Sequence, residues 1–147
     1  MHRNRSLPAR GLALAALAMS LGGCGGPLQH DVTGKVTYNG APLAKPNGMI
    51  VFLGPDGAQV PAQIGDDGTY TAAKATAGLN QVAVYYPNPA FRPPARPHGP
   101  PSEKNRPVIY PLYLTPEKYS TVDTSELSVQ VEKGTVFNVE MTGPPIP

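Results

Sequence analysis

Across residues 31–38 the chain alternates: Val32, Gly34, Val36 and Tyr38 share one face of an extended backbone, and Thr33, Lys35 and Thr37 share the other. A period of two marks a half-buried strand, because successive side chains leave a strand on opposite sides. Asn39-Gly40 follows directly, and Asn-Gly favours tight turns because both residues tolerate positive φ. This unit of alternation and turn recurs down the chain and restricts the fold more than any other feature. Nineteen prolines and sixteen glycines supply the turns that many short strands need.

Residues 48–53 form a continuous apolar run, which predicts a strand buried on both faces. Pro55-Asp56-Gly57 turns the chain into a strand near 59–64, expected at a sheet edge because Pro61 has no N–H for a ladder. Asp66-Asp67-Gly68 is a second Asp-Gly turn and leads into Thr69-Tyr70-Thr71. A turn at Gly78 precedes a strand over 80–86, with Val82, Val84 and Tyr86 on one face. Tyr85 and Tyr86 must point to opposite faces, so one of them faces outward. A short helical turn is expected from Thr115, with Pro116 in its first turn. Strands over 126–131 and 135–141 end the series, joined by the hairpin-sized Glu132-Lys133-Gly134. Roughly seven strands at about ten-residue spacing predict an all-β fold, a prealbumin-like or immunoglobulin-like antiparallel β-sandwich.

Residues 87–111 interrupt this pattern. Nine of the 25 are proline, and Arg92, Arg96, Lys104 and Arg106 face a single acid, Glu103. Such a segment favours extended polyproline geometry and cannot join a sheet interior. The sandwich is therefore expected over 30–142 with a Pro-rich loop at 87–111, and 143–147 as a tail.

The N-terminus carries a different message. Residues 2–10 are basic, and 11–21 are almost wholly apolar, matching the two regions of a secretory signal. The apolar run is about half of the ~20 residues that span a bilayer. Leu21-Gly22-Gly23-Cys24 then resembles the bacterial lipobox, with Leu three places before the cysteine and small residues at the cleavage point. Cys24 is the sole cysteine, so it has no partner within the chain, and acylation explains its position. Residues 1–23 are thus expected to be a removed signal peptide, Cys24 the lipid-bearing residue, and 24–29 a tether. One acyl chain binds a membrane marginally, at about 0.8 kcal/mol per buried CH₂. The two or three chains of a bacterial lipoprotein, palmitate among them, hold it. No acid stands beside Cys24, which is followed by Gly25, Gly26 and Pro27, and this points to the outer membrane of the cell envelope.

Arg3, Arg5 and Arg10 lie in that leader, leaving nine basic against ten acidic side chains, a net charge of −1. This balance gives no reason to expect a nucleic-acid partner.

The motifs together resemble a known family. Val32, Gly34, Val36, Gly40, Pro42 and Leu43 reproduce an opening V-x-G-x-V-x-x-x-G-x-P-L; Asp66-Asp67-Gly68-Thr69-Tyr70 follows a D-x-x-G-x-Y/F turn with one residue fewer between the first acid and the glycine. Pro116, Lys118, Tyr119, Thr124, Ser125 and Leu127 follow a later P-x-K-Y-x-x-x-x-T-S-x-L. The chain thereby resembles the carboxypeptidase regulatory-like lipoproteins of planctomycete-type bacteria, over most of residues 21–141. The resemblance implies a lipobox and one transthyretin-like sandwich. Lys45-Pro46-Asn47-Gly48 departs from the small residues more usual there, and the Pro-rich segment falls in a region variable in that family.

Few catalytic groups are available. His30 sits at the tether junction, and His98, between Pro97 and Gly99, lacks the rigid neighbours a relay needs. Zinc spacing is missing, and Asp56, Asp66 and Asp67 are better explained as turn residues than as calcium ligands. The hydroxyisourate hydrolase branch of the transthyretin fold ends in Tyr-Arg-Gly-Ser, whereas this chain ends Gly-Pro-Pro-Ile-Pro. A non-catalytic module without cofactor or metal is expected, serving adhesion, scaffolding or interaction with envelope proteins. A second reading gives Arg92, Arg96, Lys104, Arg106, Tyr110 and Tyr113 a role in contacting a glycan or peptide. A hydrolase is a distant third.

Overall fold

The computed structural model describes residues 25–93 and 110–146. Its strands are β1 (Gln29–Tyr38), β2 (Met49–Leu53), β3 (Gln59–Gln63), β4 (Thr69–Thr76), β5 (Gly78–Tyr85), β6 (Leu127–Val131) and β7 (Val139–Met141). They form a three-stranded sheet ordered β4-β1-β7 and a four-stranded sheet ordered β3-β2-β5-β6. The described residues form a seven-stranded β-sandwich. Among the described residues no helix is long and apolar enough to cross a membrane.

The alternation in the sequence becomes the two faces of each sheet. In β1, Val32, Val36 and Tyr38 are buried while Thr33 and Lys35 are exposed. In β5, Asn80, Val82 and Val84 face inward and Leu79 and Gln81 face out. The inner faces meet in one core, in which Val32, Val36, Ile50, Phe52, Val82, Val84 and Tyr86 have no exposed surface. The Phe52 ring lies 6.0 Å from Tyr70 and 6.5 Å from Phe137, the second contact edge-to-face, a geometry aromatic quadrupoles favour. Burying each large apolar side chain here contributes about 1.5–3 kcal/mol.

Pro61 lies in edge strand β3, as its missing N–H requires. Tyr86 is fully buried while Tyr85 is half-buried on the outer face. Elsewhere the sequence pattern misleads. In β2 only Ile50 and Phe52 are buried; Met49, Val51 and Leu53 are half-exposed. Their cover comes from neighbours on the same sheet, with Val51 between Pro61 and Ala83, and not from a further layer. β4 extends well past Thr71, with Ala72, Ala75 and Thr76 paired to Val32, His30 and Gln29; where the ladder bulges, Asp31 Oδ1 accepts from Lys74 N at 3.0 Å. The short helical turn is a 3₁₀ turn at Glu117–Tyr119, with Pro116 just before it.

The largest difference lies at the end of the chain. The last two strands do not pair with each other: β6 adds to β5, and the chain then crosses to the other sheet, where β7 runs parallel to β1. The β7 ladder also starts late, at Val139. Before it, Phe137 N donates to Thr33 O at 2.8 Å and Asn138 Oδ1 accepts from Lys35 N at 2.9 Å, a side chain standing in for a carbonyl. Gly34 makes this crossing possible, because a Cβ there would overlap the Phe137 carbonyl. Tyr70 Oη donates to the same carbonyl at 2.6 Å. Ser125, from the T-S motif, is buried and donates to the Val82 carbonyl, which fixes the loop before β6 onto β5.

Candidate functional site: an apolar groove beside β5

Beyond the end of β5 the chain keeps a strand-like pairing for a few residues. Leu114 N donates to Tyr86 O at 2.8 Å, and Asn88 N donates to Leu112 O at 2.9 Å. Pro87 and Tyr113 form an isolated bridge between these two interactions. Asn88 is the knot of this wall. Its Nδ2 donates to Pro111 O at 2.9 Å, and its Oδ1 accepts from Ala90 N at 2.9 Å, an Asx turn that reverses the chain. Phe91 N closes the turn on Asn88 O at 3.0 Å. The turn holds Phe91 beside residues 110–113.

The opposite wall is the C-terminal segment. Tyr38 Oη donates to Pro144 O at 2.7 Å, Asn39 Nδ2 donates to Gly143 O at 3.0 Å, and Gly143 N donates back to Asn39 Oδ1 at 3.1 Å. Thr142 N adds a bond to Tyr119 Oη at 3.2 Å. A side chain on Gly143 would strike Tyr38 Oη and Pro116, so only glycine lets the segment lie this close. Burial and the Tyr119 phenol raise the pKa of Tyr38, which keeps its hydroxyl protonated as a donor. Ile146, half-buried, packs against the core.

Between these walls lies a groove of about 700 Å³, lined by Phe91, Tyr110, Pro111, Leu112, Tyr113 and Leu114 on one side and by Pro116, Glu117, Pro144, Pro145 and Ile146 on the other. Tyr110 is 45% exposed and Leu112 49%, unusual openness for large apolar side chains set together. Tyr113 leans on Tyr85 with ring centroids 5.4 Å apart, joining the groove to the outer face of the four-stranded sheet. Thr115, also in the lining, has its Oγ1 buried without a hydrogen-bond partner among the described residues, as does Tyr86 Oη, whose ring lies against Gly48. Burial pushes the Tyr86 pKa up to about 12.

Chemically the groove offers open apolar and aromatic surface. Among the described residues Glu117 is the one charged lining residue, and it is exposed. No acid and base stand in relay there, and among the described residues no three His, Cys, Asp or Glu side chains converge as a metal would require. A second recess, of about 740 Å³ near Asn47, Gln63, Asp66 and Thr71, is shallower and mostly polar.

Of the residues proposed to contact a ligand, Tyr110 and Tyr113 both line the groove. Arg92 lies next to it but is turned inward on its own loop, with Nη1 donating to Pro89 O at 2.9 Å and to Phe91 O at 2.8 Å. Arg96, Lys104, Arg106 and Cys24 lie outside the described residues. Sequence reading missed Phe91, Leu112, Glu117 and the Pro144-Pro145-Ile146 wall. The available signal was an apolar Pro-Pro-Ile run placed just after the last strand, where a solvated tail would be polar.

No family model matches the sequence, and no curated protein does. The family resemblance therefore rests on the motifs alone. A solved structure of a DUF3823 family protein from Parabacteroides merdae ATCC 43184 is similar over 80% of this chain, at 15% identity and a TM-score of 0.45. The chain spans about half the length of that protein, 47%.

Proposed function

We propose that the mature chain is a non-catalytic, lipid-anchored β-sandwich module of the cell envelope, of the carboxypeptidase regulatory-like, transthyretin-like kind. The observation that carries this reading is the lipobox Leu21-Gly22-Gly23-Cys24 at the end of a short apolar run. A lone thiol at that point is accounted for by diacylglyceryl attachment, after which the chain starts at Cys24 and stays on the outer membrane. Its partners there are other envelope proteins. Mass spectrometry of the native protein tests the anchor: the N-terminal peptide should begin at an acylated Cys24, and Cys24→Ser should leave the membrane fraction. An unmodified Cys24, or a retained Met1, would overturn the reading.

A specific observation also favours ligand binding: an apolar groove with aromatic walls that open to solvent. In this second reading the groove takes a peptide or glycan, and the basic residues Arg92, Arg96, Lys104 and Arg106 add affinity for it. Neutralising all four should weaken binding to envelope polysaccharide if the ligand is a glycan.

A further inference from the structure

We infer that the end of the sandwich nearest Cys24 rests on the lipid bilayer, with Leu28 and Leu79 sunk into its interface; this rests on the proposed acylation of Cys24.

The strand register brings these two leucines to one end. Gln29 pairs with Thr76 at the start of the β1–β4 ladder, and Ala77 N donates to Leu28 O at 2.7 Å just beyond it. Ala77 carries the chain across to the other sheet, where β5 starts at Gly78 and Leu79 comes next. Pro55 closes the same end from the turn after β2, since a Cβ on Gly78 would lie 3.3 Å from its Cγ. Leu28 is 74% exposed and Leu79 61%, and Pro27 and Pro55 are exposed as well. A lone exposed leucine is ordinary. Two at one end, with two prolines, mark a contact surface.

The tether decides what covers it. Leu28 follows Cys24 by four residues, which span at most about 14 Å when fully extended. An acylated Cys24 lies at the membrane surface, so Leu28 never leaves that neighbourhood. A link this short makes docking intramolecular, at an effective concentration in the millimolar range. Weak apolar contact then suffices. A protein partner has no such help, and four side chains fall well short of the ~800 Å² per side of a stable protein interface. The polar groups at this end also suit a headgroup layer. Leu79 has Gln130 as its cross-strand neighbour, and Glu132 and Lys133, exposed in the turn after β6, offset each other in charge. Asp56 is held to its own turn, accepting from Ala58 N and Thr76 Oγ1, each at 3.1 Å.

Docking fixes an orientation. β1 runs about 30 Å from Gln29 to Tyr38, and the apolar groove lies at the Tyr38 end. The groove is thereby held away from the bilayer.

The chain contains no tryptophan, so a single introduced indole reports its own surroundings. The acylated protein carrying Leu79→Trp is reconstituted into phosphatidylcholine vesicles with brominated acyl chains, which quench indoles that reach them. We expect it to lose at least about half of its emission, as for a side chain held ~5–10 Å below the headgroup boundary. Tyr110→Trp, at the far end, should keep its emission. Leu28→Gln added to Leu79→Trp should reduce the quenching, and Leu28→Trp replaces Leu79→Trp if the latter does not fold. Acylated protein that floats with the vesicles yet shows equal quenching at positions 79 and 110, or none at either, sinks the docking and leaves the anchor standing. An unacylated Cys24 in the mass spectrum removes the anchor and the docking together. A blue-shifted but unquenched indole at position 79 refutes the lipid assignment and gives the patch to a protein.

Discussion

Two sets of aromatic side chains in this molecule have the same chemistry and opposite surroundings. Phe52, Tyr70 and Tyr86 lie between the sheets, and Tyr70 Oη is satisfied by the Phe137 carbonyl at 2.6 Å. Phe91, Tyr110 and Tyr113 lie in the groove, half-buried or exposed, on walls held by Asn88 and by the strapped C-terminal segment. The first set does its work by excluding water within the chain. The second set is positioned with comparable care yet excludes nothing. Anchored apolar surface left open is what a binding face requires, since burial gained within the chain is no longer available to a partner.

The comparison breaks first, and by the largest amount, in the core. Phe52→Ala removes a fully buried ring that touches both Tyr70 and Phe137 across the sandwich. The expected loss is about 3–5 kcal/mol of unfolding free energy, the lost transfer term plus a cavity. Chemical denaturation reads it as a lower midpoint at an unchanged slope. A loss under about 1 kcal/mol would mean that the aromatic cluster is not the centre of the core.

A smaller effect is expected where the two regions meet. Tyr38 is buried in the core, but its hydroxyl holds Pro144 and thus one wall of the groove. Tyr38→Phe keeps the ring and deletes that donor. Stability should fall by about 0.5–1.5 kcal/mol, the net worth of one hydrogen bond. Hydrogen exchange should reveal more than the global change does, with the Gly143 amide losing protection as the segment loosens. If that amide is unaffected, the Asn39 bonds alone secure the wall.

Much of the sandwich could be read from local pattern, because local pattern decided it. The alternation of Val32, Val36 and Tyr38, the edge position of Pro61 and the opposite faces of Tyr85 and Tyr86 each follow from the strand period or a missing N–H. The β6-to-β7 crossing could not be read this way. Glu132-Lys133-Gly134 is as suitable for a hairpin as for a crossing, and the choice depends on contacts distant in sequence: clearance at Gly34 for the Phe137 carbonyl, and Asn138 in place of a ladder acceptor for Lys35. The groove divides in the same way. Tyr110 and Tyr113 drew attention by composition beside the Pro-rich segment. Pro144-Pro145-Ile146 has no strand period, and its place is set by Tyr38 and Asn39, more than a hundred residues earlier. Neither bond leaves a local trace.

The smallest expected change in stability belongs to Tyr110, and it sharpens the comparison most. Its ring is 45% exposed and makes no hydrogen bond within the described residues. Tyr110→Ala should therefore shift unfolding free energy by no more than about 0.5 kcal/mol, as for surface positions without a structural task. Phe52→Ala, which also removes an aromatic ring, should cost several times as much. Equal costs at the two sites would show that Tyr110 is packed as a core residue, and the groove would then be closed apolar surface with nothing left to offer a ligand. A near-silent Tyr110→Ala leaves that ring free for binding, because the energy it does not contribute to folding remains to be gained when a partner covers it.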